Sequence, residues 1–493
     1  MGMIRATGVT AAVVLGLALP AAAQQSDLVI GIQLEPPVLD PTINAAAAIG
    51  EVTYDNVFEG LTRIEEDGSV VPALATDWSV SDDGLTYVFH LRQGVTFHDG
   101  TTFDADDVAF TFGRLLAAES PNPQKALFAA VDDVVAVDPA TVEFRLSQRF
   151  GDLLYDLSWP AAVIVAPESE GANALTPVGT GPFRFVEWAE GDHVTLARYD
   201  GYWGEAPALA TATFRFISEP ATAANALRAG DVDAFPNFPA YETVPLFQND
   251  RAFTVAIGAT EGEVIMSINN AAEPFDDLRV RQAISHAVDR QTIIDGAVFG
   301  YGIPIGSFFS PGNAAYVDLT GVYPYDPARA RALLAEAGYP DGFSTTLTLP
   351  PTVYAMRSGE IIAQELRDIG IEARIEQVDW ARWLSDVFTD RNYDLTIVAH
   401  VEPNDIEIFA RDGYYFNYVS QRFRDTMAEV AVAADPAERT RLLQQAQRIL
   451  AEDAASVFLF QLPKVGIWDA RLEGLWTDWP MAVNELRDVR WTQ

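Results

Sequence analysis

Apolar residues along this chain recur at two spacings, and the spacing changes at turn residues. Leu28 to Ile32 is a short apolar run of strand length. Thr86-Tyr87-Val88-Phe89-His90-Leu91 alternates with period two after an Asp82-Asp83-Gly84 turn, and predicts a strand. Asp104 to Leu116 predicts a helix. Asp104 is its cap, acids fill the first turn, and Val108, Phe112 and Leu115 come after at helical spacing. Leu61–Ile64 and Val70–Pro72 flank an acidic turn that ends at Gly68. Val134 to Leu146 predicts two strands around Asp138-Pro139. Further helices are expected over 53–61, 221–229, 280–297, 326–337, 357–369 and 436–452, and further strands over 264–269, 343–349, 371–378 and 393–399.

Strands and helices therefore mix throughout, with no short repeat and no low-complexity linker. The predicted class is α/β with more than one lobe. Of the 493 residues, 49% are hydrophobic and 21% charged, which suits a folded chain rather than a disordered one. The net charge of −38 disfavours nucleic acid and anionic membrane surfaces, because phosphate contacts need a basic face. Cysteine is absent, which excludes disulfides, thiolate metal sites and thiol catalysis.

The first residues read as an address. Arg5 precedes an apolar run, Val9 to Leu19, which Pro20 and Ala21-Ala22-Ala23 close. This is the order of a secretory signal with a small-residue cleavage site, and the cut is expected after Ala23. The run is too short to span a bilayer. A product without a lipid-bearing cysteine is expected to diffuse freely in the periplasm, with no stable membrane insertion.

Catalytic signatures are missing. No GxSxG, HExxH or GxxxxGK[ST] pattern occurs, and the five histidines are scattered. No cofactor or metal is implied by motif.

Five ordered blocks carry a resemblance. The first runs through Glu59-Gly60-Leu61, Pro72-Ala73-Leu74-Ala75-Thr76-Asp77-Trp78, Asp83 to Arg92, Val95-Thr96-Phe97-His98-Asp99-Gly100 and Ala105-Asp106-Asp107-Val108. The second is Gly179-Thr180-Gly181-Pro182-Phe183 with Tyr202-Trp203, and the third is Leu227 to Asp233. The fourth spans Pro274 to Arg290, and the last is Tyr325-Asp326-Pro327 with Leu333 to Tyr339. Together they resemble the extracytoplasmic solute-binding proteins of ABC transporters, family 5, which includes dipeptide, oligopeptide and nickel binders. Most of the blocks have plain structural readings; Trp78 and Trp203, for example, are expected to pack in the core or between lobes.

The resemblance implies a two-lobed clamp of the periplasmic-binding-protein type. The first lobe would be residues 24–266 plus 462–493, with an inserted subdomain at roughly 60–180, and the second lobe 267–461. The crossings would then fall near Met266-Ser267 and Gln461-Leu462. In the dipeptide binders an acid holding the ligand's α-amino group stands 22 residues after a pocket tryptophan; Trp380 and Glu402 have that spacing. A charge-assisted hydrogen bond of this kind contributes roughly 1.5–3 kcal/mol, and the flat face of Trp380 about 0.5–2 kcal/mol to a cation. His400, two residues before Glu402 on an extended segment, would point the same way. Asn44, Ala45 and Ala46 align with a first-lobe loop that touches peptide backbone. The family's carboxylate-binding arginine is replaced by Leu349, followed by Pro350-Pro351. A longer or modified peptide, or another amine-bearing solute, then fits as well as a dipeptide.

The implied function is a monomeric receptor that delivers its solute to permease subunits with cytoplasmic ATPases. The alternative is a chelated-metal binder, such as one for nickel, with His400 and Glu402 near the metal. More remote are an exported hydrolase and a periplasmic chaperone.

Overall fold

The computed structural model describes residues 2, 25–401, 405–433 and 435–492. The expected export signal, Gly2 aside, and Glu402-Pro403-Asn404 lie outside the described residues. Among the described residues, no helix is long and apolar enough to cross a membrane.

Two large sheets organise the chain into two α/β lobes. A seven-stranded sheet runs in the order Phe253–Gly258, Lys464–Asp469, Ala234–Phe235, Asp27–Ile32, Thr211–Phe216, His193–Arg198, Phe183–Ala189. Leu28, Ile30 and Ile32 bury one of its faces, and Phe235, Val465 and Ile467 pack on the other. A six-stranded sheet runs Ile303–Pro304, Ser456–Gln461, Glu263–Ile268, Leu395–His400, Phe343–Leu349, Ile371–Gln377. All six residues of its Glu263–Ile268 strand are buried. Val264, Met266 and Ile268 enter one core and Ile265 the opposite one, as a strand covered on both faces requires. A separate four-stranded sheet, Ala75–Val80, Thr86–Leu91, Thr141–Leu146, Val131–Asp138, forms a subdomain inserted in the first lobe. Its helix Ala105–Leu116 starts at the Asp104 cap, completed by Asp107 as a capping box.

Two links join the sheets. Phe253–Gly258 and Lys464–Asp469 pair antiparallel in the first lobe, and Glu263–Ile268 and Ser456–Gln461 pair antiparallel in the second. One ribbon therefore continues through both sheets, interrupted at 259–262 and 462–463. The crossing expected at Met266-Ser267 falls instead inside a second-lobe strand, where the Met266 side chain is fully buried. The chain changes sheet at 259–262, between the segment paired in the first sheet and the one paired in the second.

Other predicted elements shift for local reasons. The 53–61 helix is instead Ala47–Thr53, ended by an extended Tyr54 (ψ 133°) that a left-handed Asp55 follows. The long helix over 280–297 is two, Leu278–Ala287 and Arg290–Val298, since Asp289 accepts from the amides of Gln291 and Thr292 and caps the second. The 357–369 helix begins earlier, at Val353.

Candidate functional site

The links carry acids into the region where the lobes meet. Glu261 lies on the first link and Glu263 opens the strand after it. Ser310 of the second lobe donates its hydroxyl to Glu261 Oε2 at 3.3 Å. Burial pushes the Glu261 carboxyl up to about 7, and burial together with Asp405 and Glu261 pushes Glu263 well above the usual carboxylate range. Only 3% of Glu263 is exposed.

From the first lobe, the short helix Leu153–Asp156 supplies Tyr155 and Asp156. Tyr155 is raised by burial and by Glu261, which places the two side chains in one electrostatic neighbourhood. Asp156 is pushed up to about 8 by burial, then by Asp152 and by Glu407 of the second lobe, while Arg439 of the second lobe lowers it. The acids thus form two poorly hydrated sets, Glu261 and Glu263 with Asp405 and Asp156 with Asp152 and Glu407, and Tyr155 lies in the field of both. Such surroundings favour a guest that brings positive charge, because charge removed from water must be compensated.

The second lobe adds aromatics. His400 ends the Leu395–His400 strand and is 8% exposed. Its Nε2 is 2.9 Å from the Tyr415 hydroxyl, its ring stacks parallel to Tyr415 at 6.1 Å, and its Nδ1 lies 3.8 Å from Asp405 Oδ2. Both ring nitrogens thus face protein groups. Tyr415 also shares a 2.9 Å hydrogen bond with Ser267, so this aromatic stack ties two strands of the sheet. Trp380 starts a helix whose next turns, Trp383–Thr389, are π-helical. Trp380, Leu384 and Phe388 are 42%, 50% and 40% exposed, a row of large apolar side chains at spacing four. Trp383, between them, is buried and donates to Thr396 Oγ1 at 3.0 Å.

On the first lobe, Asn44 Oδ1 accepts from the Ala46 amide at 2.9 Å, which fixes the loop before Ala47–Thr53. Ala45 is exposed at its tip and Ala46 half-buried. Leu349 is fully buried in the second-lobe core, so its position offers nothing to a ligand carboxylate. Arg357 lies over the Phe299 ring at 5.0 Å instead. Trp203 donates to the buried Glu59 at 2.9 Å and carries Arg92 on its face at 4.0 Å, which is a packing role. Among the described residues, no group of three or more His, Asp or Glu side chains is arranged to hold a metal.

Glu261, Glu263 and Asp156 are not among the residues that the sequence alone singles out. A signal exists for two of them: Glu261-Gly262-Glu263 places two charges at the mouth of an otherwise apolar strand. Asp156 has none, because its meaning depends on a contact with the other lobe.

Two α/β lobes on one continuous ribbon, with acids gathered where they meet, define a solute-binding clamp. The family described as bacterial extracellular solute-binding proteins, family 5 (middle region), matches residues 69–407, and the chain belongs to it. It is 31% identical over 482 residues to the glutathione-binding protein GsiB of Salmonella paratyphi A, covering 93% of each chain. Among solved structures, it resembles the substrate-binding protein CtaP of Listeria monocytogenes, with a TM-score of 0.85, 25% identity, and 95% of this chain and 100% of that one covered. It also resembles the ABC transporter-associated periplasmic binding protein DppA of Helicobacter pylori in complex with the peptide STSA. There the TM-score is 0.81, the identity 25%, and 95% of this chain and 99% of that one are covered.

Proposed function

We propose that this chain is the exported binding subunit of an ABC importer, closing on a peptide-like, amine-bearing solute and handing it to the permease. Residues 1–23 are its removable signal, and it works in the periplasm as a monomer without catalysis. The observation that carries the reading is the pair of acids at the crossing between the lobes: Glu263, almost wholly buried, and Glu261, which accepts from Ser310 of the second lobe. Relatives named for glutathione and for a peptide agree with a ligand bearing an ammonium group. Glu402 is proposed as the acid that pairs with this ammonium. Trp380 lines the same pocket, and Asn44, Ala45 and Ala46 meet the ligand backbone from the other lobe. Closure is a population shift, because only contacts made to both lobes at once favour the closed form.

Native mass spectrometry of the gently purified protein tests the class of ligand, and titration calorimetry of Glu402→Gln with the ligand found tests the residue. A peptide-like amine is expected, with affinity falling more than about tenfold in the variant, which corresponds to one charge-assisted hydrogen bond. A bound metal chelate in the mass spectrum would overturn the amine reading. Unchanged affinity in Glu402→Gln would remove that residue from the site.

A further inference from the structure

Away from the links, the lobes touch through an ion pair. Arg439 Nη2 of the second lobe meets Asp152 Oδ2 of the first-lobe subdomain, 287 residues away in sequence. Neither residue is placed to favour its own helix. Asp152 sits at the cap of Leu153–Asp156, where an aspartate ordinarily accepts from a helix amide, yet it makes no such bond. Arg439 is the fourth residue of Pro436–Glu452, close to the positive end of the helix dipole, where a cation is disfavoured. Each side chain is turned away from its own lobe toward the other. Their exposures, 34% for Asp152 and 19% for Arg439, mark a pair partly withdrawn from water.

The surroundings are loosely filled. A cavity of about 510 Å³ separates the lobes here, walled by Val80 and Phe150 on one side and by Asn313 and Val432 on the other. Val80 and Val432 remain 45% and 62% exposed, so apolar packing does not hold this edge shut. Gly151 leaves room for the guanidinium; a Cβ there would lie 3.2 Å from Arg439 Nε. Charge also demands the arginine. Asp152 and Asp156 of the first lobe stand near Glu407 of the second; Arg411 pairs with Glu407, and Arg439 is the cation that meets Asp152. The other charged groups at the cavity are Arg149, which donates to the Asp82 carbonyl at 3.2 Å, and Asp82 itself.

We propose that the Asp152–Arg439 pair is the latch of the clamp: a contact made only on closure that sets how long the lobes stay shut. The proposal rests on the opening and closing of the lobes proposed for solute capture. With Arg439 removed, Asp152 loses its partner on the other lobe and the open form gains population. Salt weakens the pair in the same direction.

The chain has no cysteine, so spin labels can be placed at will. Labels at Val137→Cys and Val419→Cys, both well exposed and one on each side, report the distance between lobes by pulsed electron resonance. Measurements would be made without ligand and with reduced glutathione or alanyl-alanine as probe. The expected result is two distance populations, with the closed-to-open ratio falling about fivefold in Arg439→Gln and in Asp152→Asn. Raising salt should reproduce that fall in the parent chain but not in the variants. The exchanged pair, Asp152→Arg with Arg439→Asp, should restore closure in part. Two populations that ignore both substitutions and salt would overturn the latch while leaving the clamp intact. A single unvarying distance in every condition would overturn both.

Discussion

Two of the contacts between the lobes are built from different materials. At the links the contact is backbone and buried amide. The Leu462 amide donates to the Gly262 carbonyl at 2.8 Å, Gln461 Nε2 to the Thr260 carbonyl at 2.6 Å, and the Thr260 hydroxyl to the Leu462 carbonyl at 2.6 Å. A third segment clamps the ribbon, with Trp479 donating to the Ala259 carbonyl and Asp478 accepting the Ala259 amide at 2.7 Å. At the other contact an ion pair stands beside a cavity. Several short hydrogen bonds, the Gln461–Thr260 one buried, hold the first contact together. A partly hydrated electrostatic bond leaves the second free to break. In the closure proposed above, 259–262 and 462–463 would be the pivot and the Asp152–Arg439 contact the edge that parts.

Substitutions should separate the two regions. The largest effect is expected at Gly258, where a Cβ would lie 1.9 Å from the Thr477 carbonyl oxygen, a backbone atom that cannot yield. Gly258→Val should cost about 3 kcal/mol or more, read as a lower urea midpoint. Gln461→Ala comes next. It strips the buried Thr260 carbonyl of its donor and should cost about 1–3 kcal/mol by the same measurement.

A pH dependence should arise from the acids between the two contacts. Glu261 and Asp156 hold folded values of about 7 and about 8 against ordinary values of 4.5 and 3.8. The folded state therefore binds more protons than the unfolded state from about pH 4 upward. Stability is greatest at the acid end of this window and is lost as pH rises through 7 to 8, by on the order of 1–2 kcal/mol. Thermal unfolding of the ligand-free protein should show the midpoint falling between roughly pH 5.5 and 8, and Glu261→Gln should remove part of that fall, since Glu51, Asp55, Glu365 and Glu485 are also held up at about 7 to 8. A midpoint that rises over that interval would contradict the burial of these acids. The smallest effect is expected at the loose edge, where Val432→Ala should change stability by less than about 0.5 kcal/mol.

Local signals decide which elements the sequence announces. Asp104 with Asp107, and Gly230 at a φ of 75°, set helix ends through bonds made within a few residues, so those ends are legible. A single helix over 280–297 is too long because apolar spacing continues across the break, while the break depends on Asp289 turning to cap the second helix. The 53–61 stretch misleads because the chain breaks at an extended Tyr54 and a left-handed Asp55, with no glycine or proline there to mark it. For the site, the resemblance supplies Trp380, His400, Glu402 and Asn44–Ala46. The structure gives Trp380 an exposed face and locks His400 against Tyr415. Glu402 lies outside the described residues.

By itself the sequence determined the α/β class, the mixed order of strands and helices, the acidic charge and the family. These arise from spacing, capping residues and motifs, which act over short stretches of chain. Only the tertiary structure decided where the chain crosses between sheets, that Glu261 and Glu263 sit at that crossing, and that Asp152 meets Arg439. Those facts join residues as far as 287 positions apart. No local preference encodes such meetings; they appear once both sheets have buried their faces and the ribbon has fixed one lobe against the other.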